Sequence, residues 1–148
     1  MTQVTEPAPT RDAKLDYASP APPTPSKAAW WGGWILSGIV ILWMGVLGTV
    51  IALTNRAMVE EGMAKYGYPA SAVIPIQVVA VLCVILYAIP RTAVLGAILL
   101  TGYLGGAVAT HVRAGEPWFF PVIFGVIVWL ALYLRDPRVR DLAPLRRL

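Results

Sequence analysis

The stretch 27–56, KAAWWGGWILSGIVILWMGVLGTVIALTNR, carries no charged side chain between Lys27 and Arg56. A helix that is apolar on every face needs apolar surroundings, and a bilayer core of ~30 Å is crossed by about twenty such residues. The sequence therefore predicts a first membrane span over 30–54. At 1.5 Å per residue it measures roughly 37 Å, long enough to tilt or project. Trp30, Trp31 and Trp34 mark its inner interface, where indoles keep their bodies in lipid and their N–H groups among headgroups.

Three more low-charge stretches follow, at 71–90, 92–112 and 118–135. The fold class is all-α, an integral membrane bundle of four transmembrane helices occupying 29–137. Composition agrees: 57% of residues are hydrophobic and 14% charged, with a mean hydropathy of +0.66, on the membrane side of soluble averages. The net charge of +4 does not point to nucleic acid, because the basic residues flank the spans. Nine of the twelve (Arg11, Lys14, Lys27, Arg91, Arg135, Arg138, Arg140, Arg146 and Arg147) fall before span one, between spans two and three, or after span four. Arg56, Lys65 and Arg113 fall in the other two loops. The positive-inside rule then places both termini in the cytoplasm and the loops at 55–70 and 112–117 outside, in a multi-pass protein of a bacterial plasma membrane. Membrane lipid is the one partner the basic flanks imply.

Residues 1–28, with Pro7, Pro9, Pro20, Pro22, Pro23 and Pro25, read as a disordered cytoplasmic tail that buries too little apolar surface to offset ordering entropy. The apolar run behind them has span length, so span one is expected to be an uncleaved anchor. Residues 138–148 form a basic tail. Cys83, the single cysteine, lies mid-span and permits neither an internal disulfide nor a thiolate metal site.

The loop 55–70 has its own pattern. Met58, Val59, Met63 and Tyr66 recur at helical steps, with Asn55 as N-cap and Gly67 as stop, which predicts a short surface helix serving as a connector rather than a lid. Ser71 is placed to cap span two and Thr92 span three, and the short Ile89-Pro90-Arg91-Thr92 link makes those spans a tight hairpin. In span three, Gly102 and Gly106 make a GxxxG step beside Gly105 and Ala109. That pattern predicts close helix packing with span three in the middle of the bundle. The sequence sets no oligomeric state.

Candidate chemistry rests on the few polar groups inside the spans, since such groups are costly in lipid. Gln77 reads first as a helix–helix hydrogen-bond donor and second as a substrate contact. Tyr87 and Tyr103 offer phenols, with packing the preferred reading. His111 and Arg113 close span three near Glu116. Two readings compete there: a site for an anionic or quinone headgroup, and basic residues favourable at a helix C-terminus. One histidine without a second ligand set implies no metal or haem, and no nucleophile–base pair is present. The residues themselves point to no catalytic group and no cofactor.

The run Pro90-Arg91-Thr92-Ala93-Val94-Leu95-Gly96-Ala97-Ile98-Leu99-Leu100-Thr101-Gly102-Tyr103-Leu104-Gly105-Gly106-Ala107-Val108-Ala109-Thr110-His111-Val112-Arg113-Ala114-Gly115 resembles the DoxX-like family of small four-helix membrane proteins, as do Trp129 through Leu132-Tyr133-Leu134-Arg135-Asp136-Pro137-Arg138 and Gly67-Tyr68-Pro69. The resemblance covers roughly 35–147. It implies association with membrane redox partner proteins, because better-known relatives serve as a subunit working with quinone in thiosulfate oxidation or in oxidative-stress and thiol-handling complexes. Quinone enters only through this resemblance. Relatives often carry an Asp and a Lys late in span one and a Glu in span two; Gly48, Ala52 and Ala80 stand at those places here. Their absence favours a non-catalytic subunit or accessory role. A small-molecule binder or carrier with a pocket between spans two, three and four is the alternative, and a cavity reaching Gln77, Tyr103 or His111 discriminates it.

Overall fold

The computed structural model describes residues 26–142, with side chains to Arg140. Residues 1–25 of the expected N-terminal tail and 143–148 of the basic tail lie outside the described residues, whereas Lys27, Ala28 and residues 138–142, expected in the tails, are helical. Six helices follow one another, with no strand among the described residues: α1 (Lys27–Thr54), α2 (Arg56–Lys65), α3 (Ala70–Ala88, opening in a 3-10 turn), α4 (Ala93–Ala114), α5 (Phe119–Arg135) and α6 (Pro137–Leu142). Three of them, α1, α3 and α4, are long and apolar enough to cross a membrane, and α5 is a shorter apolar helix of 17 residues. Large apolar side chains such as Ile35, Leu42, Leu82, Ile98 and Val126 stay exposed along all four. In water such a surface would aggregate; in lipid it is solvated.

Local chemistry sets the helix ends, though not always through the expected groups. Ser26 caps α1, its Oγ accepting the Ala29 N–H at 3.2 Å. Asn55 makes no cap bond to α2; its amide donates to Thr54 Oγ1 instead. Ser71 likewise makes no cap bond. Thr92 stands at the expected N-cap of α4, its carbonyl accepting the Gly96 N–H at 2.8 Å, while its hydroxyl turns back to donate to the Leu86 carbonyl at 2.8 Å. Gly67 and Gly115 both adopt positive φ, 79° and 71°. There the Tyr68 N–H reaches the Met63 carbonyl and the Glu116 N–H the His111 carbonyl, a helix stop that glycine permits without steric cost.

The four long helices form a ring in which α1 packs on α5, α5 on α4, α4 on α3, and α3 on the second half of α1. Span three is therefore a corner and not the centre, which corrects the expectation drawn from its glycines. A Cβ added at Gly102, Gly105 or Gly106 meets nothing within 4 Å. The close approaches occur elsewhere. A Cβ at Gly33 would stand 2.7 Å from the Arg135 backbone nitrogen, and one at Gly96 would overlap the Tyr87 backbone. These two glycines, one on α1 and one on α4, let neighbouring backbones touch, and packing of this kind is the principal attraction between helices in lipid.

Helix α1 contains a π-helical segment, Ile41–Leu47. An inserted wide turn rotates the faces that follow it. Before it, Gly33, Ser37 and Val40 are buried on the α5 side; within and after it, Gly45 meets Val84 of α3 and Ala52 is buried. One helix thereby serves two neighbours. Gly48, Ala52 and Ala80 all lie in this α1–α3 region. Ala52 and Ala80 are buried, and Gln77 Nε2 donates to Thr49 Oγ1 across the interface at 3.1 Å. Small side chains and one neutral hydrogen bond fill this α1–α3 interface.

The core is tied together by a polar knot at one end. The Tyr87 hydroxyl donates to the Val128 carbonyl at 3.0 Å and lies 3.2 Å from Ser37 Oγ, which itself donates to the Gly33 carbonyl. Arg135 Nη2 donates to the Tyr87 carbonyl at 2.8 Å. Its guanidinium lies 4.7 Å from the ring centroids of both Trp34 and Tyr87. Spans one, two and four converge on these side chains.

Candidate functional site

At the opposite end of the bundle, α2 folds over the gap between α3 and α4. The gap exists because α4 presents Gly102 and Gly106 there, with no side chain to fill it. The result is a cavity of about 380 Å³ walled by Met63, Tyr66 and Tyr68 on one side, Ile76 of α3, and Tyr103, Ala107, Thr110 and His111 of α4. That volume lies within the ~300–1,000 Å³ usual for small-molecule sites. The glycines that read as packing residues thus open a cavity instead.

Hydrogen bonds fix most of the polar rim. His111 Nδ1 lies 2.8 Å from the Ala107 carbonyl. A carbonyl oxygen only accepts, so Nδ1 carries the proton and Nε2 of the neutral ring is left as an acceptor. The imidazole leans on Tyr66, ring centroids 5.2 Å apart. Tyr68 and Thr110 share a hydrogen bond of 2.9 Å, and the Thr110 hydroxyl also donates to Gly106 O. The Tyr103 hydroxyl makes no hydrogen bond among the described residues. A ring-bearing guest here would meet aromatic walls, a phenol able to donate and an imidazole nitrogen able to accept.

Of the residues singled out in the sequence, His111, Tyr103, Gly102 and Gly106 come together in this cavity. Arg113 does not. It is exposed, with Nη2 3.2 Å from where a Gly67 Cβ would stand, so His111 and Arg113 form no joint site. Gln77 is spent between α1 and α3. The cavity lies between spans two and three and the short helix, with no residue of span four, so the expected pocket of three spans is corrected in that part. Gly105 faces a separate, largely apolar groove of about 860 Å³ between α4 and α5, where Trp129 donates to Thr101 Oγ1 at 2.9 Å.

The DoxX-like family model matches residues 35–132. The chain belongs to the DoxX-like family. The matched region of this DoxX-like protein contains the long helices α3 and α4 whole, together with α2 and therefore every wall of the cavity. Family membership and the apolar helices together mark a membrane protein. No curated protein and no solved structure matches the chain.

Sequence reasoning missed two parts of this architecture. In the sequence Tyr66 is one position in the helical pattern of a connector and Tyr68 part of the Gly67-Tyr68-Pro69 match, because the residues alone do not tell which way a surface helix leans. Arg135 read as a topology anchor, since a lone arginine before Asp136 and Pro137 ends many spans. The signal present was the arginine's position within the apolar run, one residue inside the helix stop, where snorkelling to water is not the only way to place it.

Proposed function

We propose that this DoxX-like protein is a non-catalytic membrane binding protein that holds an amphipathic, ring-headed small molecule of the quinone or quinol class in the cavity under α2. The observation that carries this reading is the cavity itself, reaching both Tyr103 and His111. A quinol hydroxyl would donate to His111 Nε2, and a carbonyl or second oxygen would accept from Tyr103 Oη. The family resemblance to proteins that work with quinone supports the ligand class. The charge asymmetry of the flanks supports a bacterial plasma membrane setting with both termini cytoplasmic and α2 outside, so the ligand would be reached from the outer leaflet. Redox chemistry itself is assigned to partner proteins in the membrane, following the family resemblance.

The test is binding of a decyl-substituted benzoquinol to purified protein, with native mass spectrometry of co-extracted quinones alongside. Gly106→Leu and Gly102→Leu put side chains into the cavity without meeting protein atoms within 4 Å of the new Cβ, so both should abolish binding and leave the melting temperature within a few degrees. His111→Phe should remove the preference for quinol over quinone. A wild-type protein that retains no quinone and does not bind the probe ends the proposal.

A further inference from the structure

Helix α4 runs about 27 Å from Ala93 to His111, and a second cavity lies at its far end, beside the polar knot. It measures about 340 Å³ and is lined by Trp30 and Trp34 of α1, Arg91 of the α3–α4 link, Arg135 at the end of α5, and Asp136 and Arg138 beyond it, among others. Three arginines, from the α3–α4 link, the end of α5 and the start of α6, line it against one carboxylate, Asp136. Asp136 Oδ1 accepts the Arg138 backbone N–H at 3.0 Å, and its one negative charge leaves the lining with a net positive charge. The single ion pair among the described residues joins Arg56 and Glu60, in α2 and far from this cavity.

Arg135 is the decisive member. The side chain is only 7% exposed, its planar faces lie against two aromatic rings, and Nη2 is bonded to the Tyr87 carbonyl. Nη1 is buried and has no hydrogen-bond partner among the described residues. A buried cation with an unmatched donor is costly, and an anion placed beside it offsets that cost. Guanidinium forks match carboxylate and phosphate alike. Three arginines lining one cavity favour phosphate, which carries more charge than a carboxylate and whose tetrahedral oxygens accept on several sides at once. The indoles on the same wall, Trp34 half-buried and Trp30 exposed, suit an ester carrying an apolar body at the lipid–water boundary.

We propose that this cavity binds a phosphate group, donated to by Arg91 and Arg138 and held by the charge of the buried Arg135 behind them, with an anionic phospholipid headgroup or free phosphate as its source. The site is independent of the quinone-class cavity and stands if that reading fails.

The experiment uses the full chain purified in detergent and offered equimolar phosphatidylglycerol and phosphatidylcholine, with bound lipid read by native mass spectrometry. Titration calorimetry with inorganic phosphate on delipidated protein runs in parallel. Because Arg135 also holds Tyr87, its replacement threatens the fold, so the variants are Arg91→Gln and Arg138→Gln, both exposed, with Lys27→Gln as a control outside the cavity. Wild type should retain phosphatidylglycerol selectively, and each cavity variant should weaken retention roughly fivefold, the pair about 25-fold, near the value of one basic side chain at an anionic surface. Selective lipid retention with no phosphate heat identifies a headgroup; phosphate heat lost in the double variant identifies the free anion. Equal retention of both lipids with no phosphate binding, or an equal loss in Lys27→Gln, overturns the site.

Discussion

The Tyr87 hydroxyl donates to the Val128 carbonyl of α5 and lies 3.2 Å from Ser37 Oγ of α1, and the Tyr87 ring lies beneath the Arg135 guanidinium. The two uses separate by substitution. Tyr87→Phe keeps the ring and removes only hydrogen bonds, which in membrane bundles are worth ~0.6–1.7 kcal/mol. Tyr87→Leu also removes the cation–π face, and a desolvated contact of that kind contributes about 2 kcal/mol more. Thermal unfolding in detergent should therefore rank wild type above Tyr87→Phe, and Tyr87→Leu well below both. Ser37→Ala should cost less than Tyr87→Phe, since Ser37 already donates to its own helix at Gly33. Equal losses for the two Tyr87 variants would show that the ring contact with Arg135 contributes nothing. Tyr87 and Arg135 stand 48 residues apart, and nothing in the spacing of either announces that they meet. Span existence was legible because uncharged length is a local property; this pairing depends on how three helices rotate against one another.

Among the elements, α4 separates two uses of glycine that look alike in sequence. Gly96 lies where α3 passes, and Gly102, Gly105 and Gly106 face open space. Gly96→Ala should therefore destabilise by about 3 kcal/mol or more, because the new Cβ would occupy the position of the Tyr87 backbone. Gly102→Ala should stabilise by roughly 0.5–1 kcal/mol, the ordinary difference between the two residues inside a helix. Chemical or thermal unfolding of the two variants side by side reads the contrast, and destabilisation by Gly102→Ala would place a neighbouring helix on that face after all. A GxxxG spacing tells that two small residues share a face. It does not tell whether the face meets a helix, lipid or a cavity, and in this protein the tight α3–α4 hairpin commits its contact to Gly96 near the link. The π segment of α1 was equally hidden, since Ile41 through Leu47 carry the same apolar residue types as the regular turns around them.

At the scale of the whole molecule, the two cavities lie at opposite ends of one bundle, one beneath α2 with neutral hydrogen-bonding groups and one among arginines. In a membrane those ends face different compartments, so orientation decides which cavity sees which. The start of α1 and the end of α5 sit together, with Gly33 against Arg135, so Ser26 and Arg138 share one side and the α1–α2 and α4–α5 connections share the other. In the sequence, nine of twelve basic residues fall before span one, between spans two and three or after span four, and the bias of positive loops toward the cytoplasm predicts that this side is cytoplasmic. In a Cys83→Ala background, a membrane-impermeant maleimide applied to intact cells should label Lys65→Cys and Glu116→Cys, and should reach Ser26→Cys and Arg138→Cys only after the cells are opened. Labelling of Arg138→Cys from outside would invert the bundle. The arginine cavity would then face the outer leaflet, and the quinone-class cavity would be filled from the cytoplasmic one.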